Sequence, residues 1–470
     1  MWKSFSLAVC MLIAVSLDGA QKMHYDFSNY YHTEVSSVVF PKTFEDVQNI
    51  VLKAAQQKKK IAVAGAKMSQ GGHTLPSEKE SFLVNTKFLN KVEVFSESKS
   101  ARVGPGATWK DVQDAAHANG LAVKVMQASN IFSIGGSLST NIHGWDHISG
   151  ALVETVRSVT IVDAFGNVQI LTPEDELFSL VIGGYGMFGI IVEAEIELAD
   201  NVVVERKGVQ IPTEEYAEYF NNKIDGNAEV ILHYARLVLD PTKLFENVIV
   251  VDYVKNASSY KTPLKLPAEP PKGHWYERVT VNFLRKNRNL ISLKQAYDNV
   301  VFLKPKVMSR NEAMLPNIRF VYDSNDKNAD MLQEFFVPKH NLMPFLQELK
   351  ATLEEYDIHL FNATIRHVKQ DHLTALPYAK TDVFAIVLYY NESLDVKNLE
   401  KIEAFTGKAV DNAISWQGSY YLPYHRFPTL AQFQEVYPEF AYVLEKKQQH
   451  DPQDLFSSQF SKHYLKNSTR

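Results

Sequence analysis

"IAVAGAKMSQGGHTL", residues 61–75, joins a short apolar strand to a turn of glycine, alanine, serine and glutamine. The chain gives up side chains where a core would want them, so something approaches the main chain there. Two further stretches share this character, "NIFSIGGSLSTNIHG" (residues 130–144) and "IGGYGMFGII" (residues 182–191). Backbone N–H groups in glycine-rich turns can converge on an anion. Each charge-assisted bond of that kind contributes about 1.5–3 kcal/mol. Ser69, Ser137, Ser139, Thr140 and Asn141 add short polar side chains. The expectation is a diphosphate lying between two turns. No G-x-G-x-x-G leads from a strand into a helix, and "GGSLST" lacks the lysine of a P-loop, so neither of those sites is expected.

Working outward, "PKTFEDVQNIVLKAAQQKKK" (residues 41–60) reads as a helix with Thr43 as N-cap and Asp46 three residues on. "SARVGPGATWKDVQDAAHANGLAV" (residues 100–123) repeats that start signal with Thr108 and Asp111, and Gly120 is the stop. "SVTIVDAFGNVQIL" reads as a hairpin turning at Gly166 and Asn167, and "FGIIVEAEIELAD" as a half-exposed strand. After Asp200 the elements lengthen and a proline-rich stretch appears at residues 261–274.

At about 100–200 residues per domain, 470 residues suggest two or three domains. A net charge of −5, from 49 basic and 54 acidic residues with no basic stripe, argues against a nucleic-acid partner. In "MWKSFSLAVCMLIAVSLDGAQ", an apolar run over residues 5–17 lies between Lys3 and Gly19-Ala20. That is the layout of a secretory signal peptide, and the run falls short of the ~20 residues of a stable membrane span. The expected location is secreted or periplasmic. Cys10, inside this run, is the only cysteine. The mature form therefore offers no disulfide, no cysteine-based zinc site and no cysteinyl link to a cofactor. No metal is expected.

The order "P-x-T-x-x-D-V", small-residue turn, "G-P-G-A-T-W-x-D-V", "I-G-G-S-L-S-T-N-x-H-G", "G-G-x-G-x-F-G-I-I" resembles the FAD-binding PCMH-type domain of the vanillyl-alcohol oxidase / p-cresol methylhydroxylase family. The match runs over about residues 36–200. "DPQDLFSSQF" (residues 451–460) resembles the C-terminal return of the aldonolactone and alditol oxidase branch. The resemblance implies an α+β fold: a two-subdomain PCMH-type FAD-binding domain plus an α+β substrate (cap) domain with an antiparallel sheet. The implied division is a signal peptide at 1–20, the FAD domain at 21–199, the cap at 200–425 and a return to the FAD domain at 426–470. The implied FAD contacts are Gly65, Ala66, Lys67, Met68, Ser69, Gln70 and Gly71 in the first turn. In the second they are Ile134, Gly135, Gly136, Ser137, Ser139, Thr140, Asn141, His143 and Gly144, and in the third Gly189 and Ile191. Met68 stands where many relatives carry a histidine bonded covalently to the flavin 8α carbon. A thioether has no comparable nucleophile, so FAD is expected to be non-covalent. His143 is assigned to cofactor contact and not to proton transfer.

In "MLQEFFVP", Leu332, Glu334 and Phe336 share one strand face, and in "FNATIRHV", Asn362, Thr364 and Arg366 do. The resemblance implies that Glu334 and Arg366 are catalytic residues near the flavin. Oxidising an alcohol sends a hydride to flavin N5 and a proton to a base. Arg366 is expected to stabilise negative charge or orient a hydroxyl, and Glu334 to orient substrate or accept the proton. Alditol oxidases carry a glutamate two residues before the arginine, where this chain has Thr364. Tyr424, His425 and Arg426 fall where the branch places another active-site basic residue. The implied activity is oxidation of a CH–OH group of a polyol, sugar or sugar lactone, with molecular oxygen or another electron acceptor. The alternatives are a C=C reductase resembling sterol reductases, and a redox-inert binding protein on the same scaffold.

Overall fold

The computed structural model describes residues 22–266, 290–315 and 327–467, with positions 279, 283 and 285. The expected signal peptide and residues 267–274 of the proline-rich stretch lie outside the described residues. The chain is a mixed α+β protein.

The first turn springs from a three-stranded parallel sheet, in the order Ser37–Val39, Phe82–Asn85, Ile61–Ala64. Parallel neighbours need a crossover, and the helix Phe44–Gln56 supplies one. Thr43 accepts the amide of Asp46, while the Asp46 carboxylate accepts the amide of Thr43. A cap of this kind stabilises a helix by about 1 kcal/mol. Val47, Ile50, Val51 and Ala54 are buried against the sheet. The C-terminal return closes its edge: Phe456 bridges Ile61 in parallel, and the Ile61 amide donates to the Leu455 carbonyl at 2.7 Å.

The second and third turns hang from an antiparallel sheet, in the order Val168–Leu171, Val156–Val162, Ile190–Asp200, Ser100–Val103, Val92–Phe95, with Leu121–Val123 also on the strand Ile190–Asp200. That strand alternates as its sequence suggests, burying Val192, Ala194, Ile196 and Leu198 while Glu193, Glu195 and Glu197 stay half-buried. The helix Trp109–Ala118 starts at a second reciprocal cap, between Thr108 and Asp111.

Asn201 and Val202 then link to an eight-stranded antiparallel sheet. Its order is Lys306–Ser309, Val203–Pro212, Asn247–Lys255, Val230–Leu237, Leu360–Val368, Val383–Ser393, Asn328–Pro338, Ser419–Tyr420. The strand Val383–Ser393 is buried on both faces from Val383 to Tyr390, which is why it reads as an unbroken apolar run. The helices Leu342–Glu355 and Val396–Ser415 pack together beside this sheet. One apolar cluster extends from Ala101 to Tyr464, so this sheet and the preceding one share a core. The expected boundary at 199/200 falls in the last residues of the strand Ile190–Asp200, just before the link, and the shared core runs across it.

Candidate active site

The first two turns touch. A side chain at Gly65 would place its Cβ 2.0 Å from the Ser133 hydroxyl oxygen, and that hydroxyl accepts the amide of Ala66 at 3.1 Å. What approaches the backbone at Gly65 is therefore a serine of the second turn. Gly135 is likewise a packing glycine, because its Cβ would lie 2.7 Å from Pro105 Cβ. The amides of Ile134 and Gly135 are also spent, on the carbonyls of Ala107 (2.8 Å) and Pro105 (2.9 Å). They are not free to hold a phosphate, contrary to the expectation from sequence. The first turn differs. Lys67 lies in the left-handed region at φ 58°, which swings successive amides to one side. Among the described residues, the amides of Lys67, Met68 and Ser69 donate to no protein group. The Ser69 hydroxyl is buried with no partner.

The turns open on a cavity of about 1370 Å³, counting the part open to solvent. From the expected set it is lined by Gly65, Ala66, Lys67, Met68, Ser69, Gly135, Gly136, Ser139, Thr140, His143, Gly189, Ile191, Glu334 and Arg366. Six expected contacts lie behind the lining instead. Gln70 spends its side chain on the strand Asn328–Pro338. Gly71 leaves no room for a Cβ beside the Tyr424 carbonyl, and Gly144 leaves none beside that of Met126. Ile134 is a core residue. Ser137 accepts the indole N–H of Trp109 at 2.9 Å. Asn141 donates to Asp371 at 3.0 Å and accepts the amide of Val153. The lining adds residues that sequence did not single out: Gln127, Ser133, Tyr185 and Tyr421 around the turns, and Phe456, Ser457, Ser458 and Ser461 from the C-terminal return.

At the far end stands the eight-stranded sheet. Glu334, Val387 and Thr364 lie in one row across three strands, and Phe336, Ala385 and Arg366 lie two residues along. Glu334 and Arg366 therefore point from the same face, diagonally across the strand between them. His143 Nε2–H donates to Glu334 Oε1 at 2.6 Å, with both side chains buried. The Tyr424 hydroxyl donates to Glu334 Oε2 at 3.3 Å. Burial on its own raises the Glu334 carboxyl, but His143, the Arg366 charge and the Tyr424 hydroxyl together hold it below the usual carboxylate range. Glu334 is thus an ionised carboxylate with both oxygens engaged. Arg366 makes no hydrogen bond or ion pair among the described residues, and its Nε is buried without a partner.

The nearby histidines differ from His143. His73 lines the cavity, stacked on Phe460 at 4.1 Å, and burial with the Arg426 charge pushes it down to about 3. His425 stacks on Phe427 at 5.0 Å, behind the lining, and burial and Arg426 push it to about 3 as well. Arg426 lies over the Tyr31 ring and donates to the Gln459 carbonyl at 2.6 Å. Of the three residues at 424–426, only Tyr424 lines the cavity. Among the described residues no group of histidine, cysteine, aspartate and glutamate is placed to hold a metal.

Comparison with known proteins supplies the cofactor. The FAD-binding domain family matches residues 35–172, which include the first two turns. The decaprenylphosphoryl-beta-D-ribose oxidase of Mycolicibacterium smegmatis is 29% identical over 170 residues, 35% of this chain and 36% of its own. The alditol oxidase of a Streptomyces species is 26% identical over 159 residues, 34% of this chain and 37% of its own. In both, the match spans little more than a third of the relative's length. The L-gulonolactone oxidase of Bos taurus is 21% identical over 432 residues, covering 88% of this chain and 92% of its own. The unspent amides of the first turn and the buried, unpartnered Ser69 hydroxyl fit the diphosphate of FAD, and the cavity leads from there to the eight-stranded sheet. The chain thus carries an FAD-binding domain over residues 35–172 and takes FAD as its cofactor, and over most of its length it is similar to an L-gulonolactone oxidase.

Proposed function

We propose that this protein is an FAD-dependent oxidoreductase that oxidises a CH–OH group of a polyol, sugar or sugar lactone and passes the electrons to molecular oxygen or another acceptor. The observation that carries the reading is the shared cavity. The proposed cofactor turns line one end, and an ionised Glu334 and an Arg366 unpaired among the described residues line the other. The names of the alditol and L-gulonolactone oxidases support the substrate class. In this reading residues 21–199 hold the cofactor, 200–425 close over the substrate and 426–470 return to the cofactor end. The signal-peptide-like leader supports an exported, secreted or periplasmic protein.

Lys67, Met68 and Ser69 would hold the diphosphate through their amides, Gly136, Ser139 and Thr140 would line the cavity beside the cofactor, and His143 stands at the Glu334 end. Bound FAD supplies the acceptor for the hydride that leaves the substrate carbon. The chain's residues manage the charge. Arg366 binds the substrate oxygen and stabilises it as its proton leaves, a role whose loss typically costs on the order of 10²–10³ in rate. Glu334 receives that proton, while Nε2–H of His143 fixes the carboxylate and Tyr424 shares its second oxygen. The C–H pair departs as hydride, the O–H proton goes to Glu334, and a carbonyl remains. FAD stays non-covalent in this reading, because Met68 cannot form the histidyl link.

The test is anaerobic reduction of the bound flavin, followed by absorbance. Polyols, sugars and sugar lactones are each added, then NADPH. Bleaching by one of the first three supports the proposal. Bleaching by NADPH alone replaces it with the C=C reductase, and bleaching by none leaves the redox-inert binding protein.

A further inference from the structure

Gln70 follows directly on the three unspent amides of the first turn, yet its side chain points away from the cavity and is buried. Its Nε2 donates to the Asp330 carbonyl at 2.8 Å, and its Oε1 accepts the amide of Leu332 at 3.1 Å. Its own amide donates to the Pro423 carbonyl at 3.1 Å. A carboxamide bonded in this way takes the place of a neighbouring strand for one step of a ladder. The strand Asn328–Pro338 needs such a substitute. One edge pairs along its whole length with Val383–Ser393, but on the other edge Ser419–Tyr420 reaches only Phe335 and Phe336. Gln70 fills that edge two residues before Glu334. Pro423, its third contact, adjoins Tyr424, whose hydroxyl reaches Glu334.

We infer that Gln70 is a positioning residue that transmits cofactor occupancy to the substrate end of the cavity. The inference rests on the reading of the first turn as the FAD diphosphate site. Phosphates bound by residues 67–69 immobilise the turn. Gln70 moves with it and holds both the Glu334 strand and the Tyr424 segment in register. Coupling of this kind is reciprocal: a ligand that fixes Glu334 tightens FAD binding by the factor with which FAD tightens that ligand.

Hydrogen exchange with and without FAD tests this. The reporter is the Tyr421 amide, which donates to the Glu334 carbonyl at 3.0 Å and not to Gln70. Flavin-free wild type, Gln70→Ala, Gln70→Glu and Gln333→Ala are compared. Gln333→Ala loosens the same strand elsewhere, by removing the bond from Gln333 to Thr406. In wild type, FAD is expected to slow exchange at Tyr421 by about tenfold. In both Gln70 variants FAD still binds, by its spectrum, but the slowing disappears. In Gln333→Ala exchange is faster throughout, and the FAD-dependent slowing persists. Slowing retained in a Gln70 variant that binds FAD overturns the inference, as does wild type that binds FAD without slowing. Wild type that takes up no FAD overturns the cofactor reading itself, which separates the two failures.

Discussion

The two ends of the cavity are built on opposite plans. At the end proposed for the cofactor the protein offers its main chain: small residues, one left-handed lysine, and amides that no protein group uses among the described residues. At the end proposed for the substrate it offers charged side chains on a sheet, with both oxygens of Glu334 engaged and Arg366 without a hydrogen bond or ion pair among the described residues. A cofactor that is always the same can be held by backbone geometry. A reaction that moves charge needs groups whose ionisation is set by neighbours, and those require a buried, ordered frame. The contrast predicts that substitutions at one end change chemistry and those at the other change retention of the flavin.

The largest effect is expected at the substrate end. Arg366→Ala should lower kcat about 10³-fold with FAD still bound, read by steady-state kinetics beside the flavin spectrum. Loss of flavin together with activity would erase the distinction between the ends. The next effect sharpens the cofactor end. Gly65→Ala drives a methyl into the Ser133 hydroxyl and should destabilise the chain by about 1–3 kcal/mol and weaken FAD binding. Adding Ser133→Ala should recover part of both losses. Failure of the double variant to improve on the single one would show that Ser133 is not the opposing wall.

A pH effect follows from the buried histidines. His73 and His425 fall from 6.5 to about 3, and burial pushes His367 to about 4. The unfolded chain takes up these protons below pH 6.5 and the folded chain does not. Stability should therefore drop as pH falls from 6.5 toward 4, by up to about 1.4 kcal/mol per unit for each histidine. Asp26, raised to about 7 by burial, works in the other direction. Its folded form keeps a proton that the unfolded form loses above 3.8, so it costs stability as pH rises from there to 7. Denaturant titrations across pH 4–7 should show a net acid loss, and His73→Phe should flatten it. The smallest effect is on attachment. Acid-precipitated wild type should release its yellow colour to the supernatant, and a coloured pellet would show that another residue forms the bond. Met68→His is the matching gain-of-linkage variant.

Local chemistry made much of this legible in advance. Thr43 with Asp46, and Thr108 with Asp111, announce helix starts because a cap is a three-residue event. Alternation places Arg366 on a polar strand face and Glu334 on a face shared with Leu332 and Phe336, and resemblance singles the two out. What stayed hidden depends on register between distant segments. His143 meets Glu334 across 191 residues, and Gln70 meets Leu332 across 262. Nothing near Gly65 says that Ser133 occupies its missing side chain. In sequence a glycine signals access for a ligand, whereas at 65 and 135 it is access for the protein itself. The Ile134 and Gly135 amides likewise go to the carbonyls of Ala107 and Pro105, partners that spacing does not announce.

The account depends on the first turn holding FAD through main-chain amides. The most direct measurement is titration of the flavin-stripped protein with FAD, followed by flavin fluorescence and by thermal unfolding. The expected result is saturation at one FAD per chain, with stability raised by about 2.7 kcal/mol at a hundredfold excess over Kd. A chain that stays colourless and unfolds at the same temperature at every FAD concentration would contradict it.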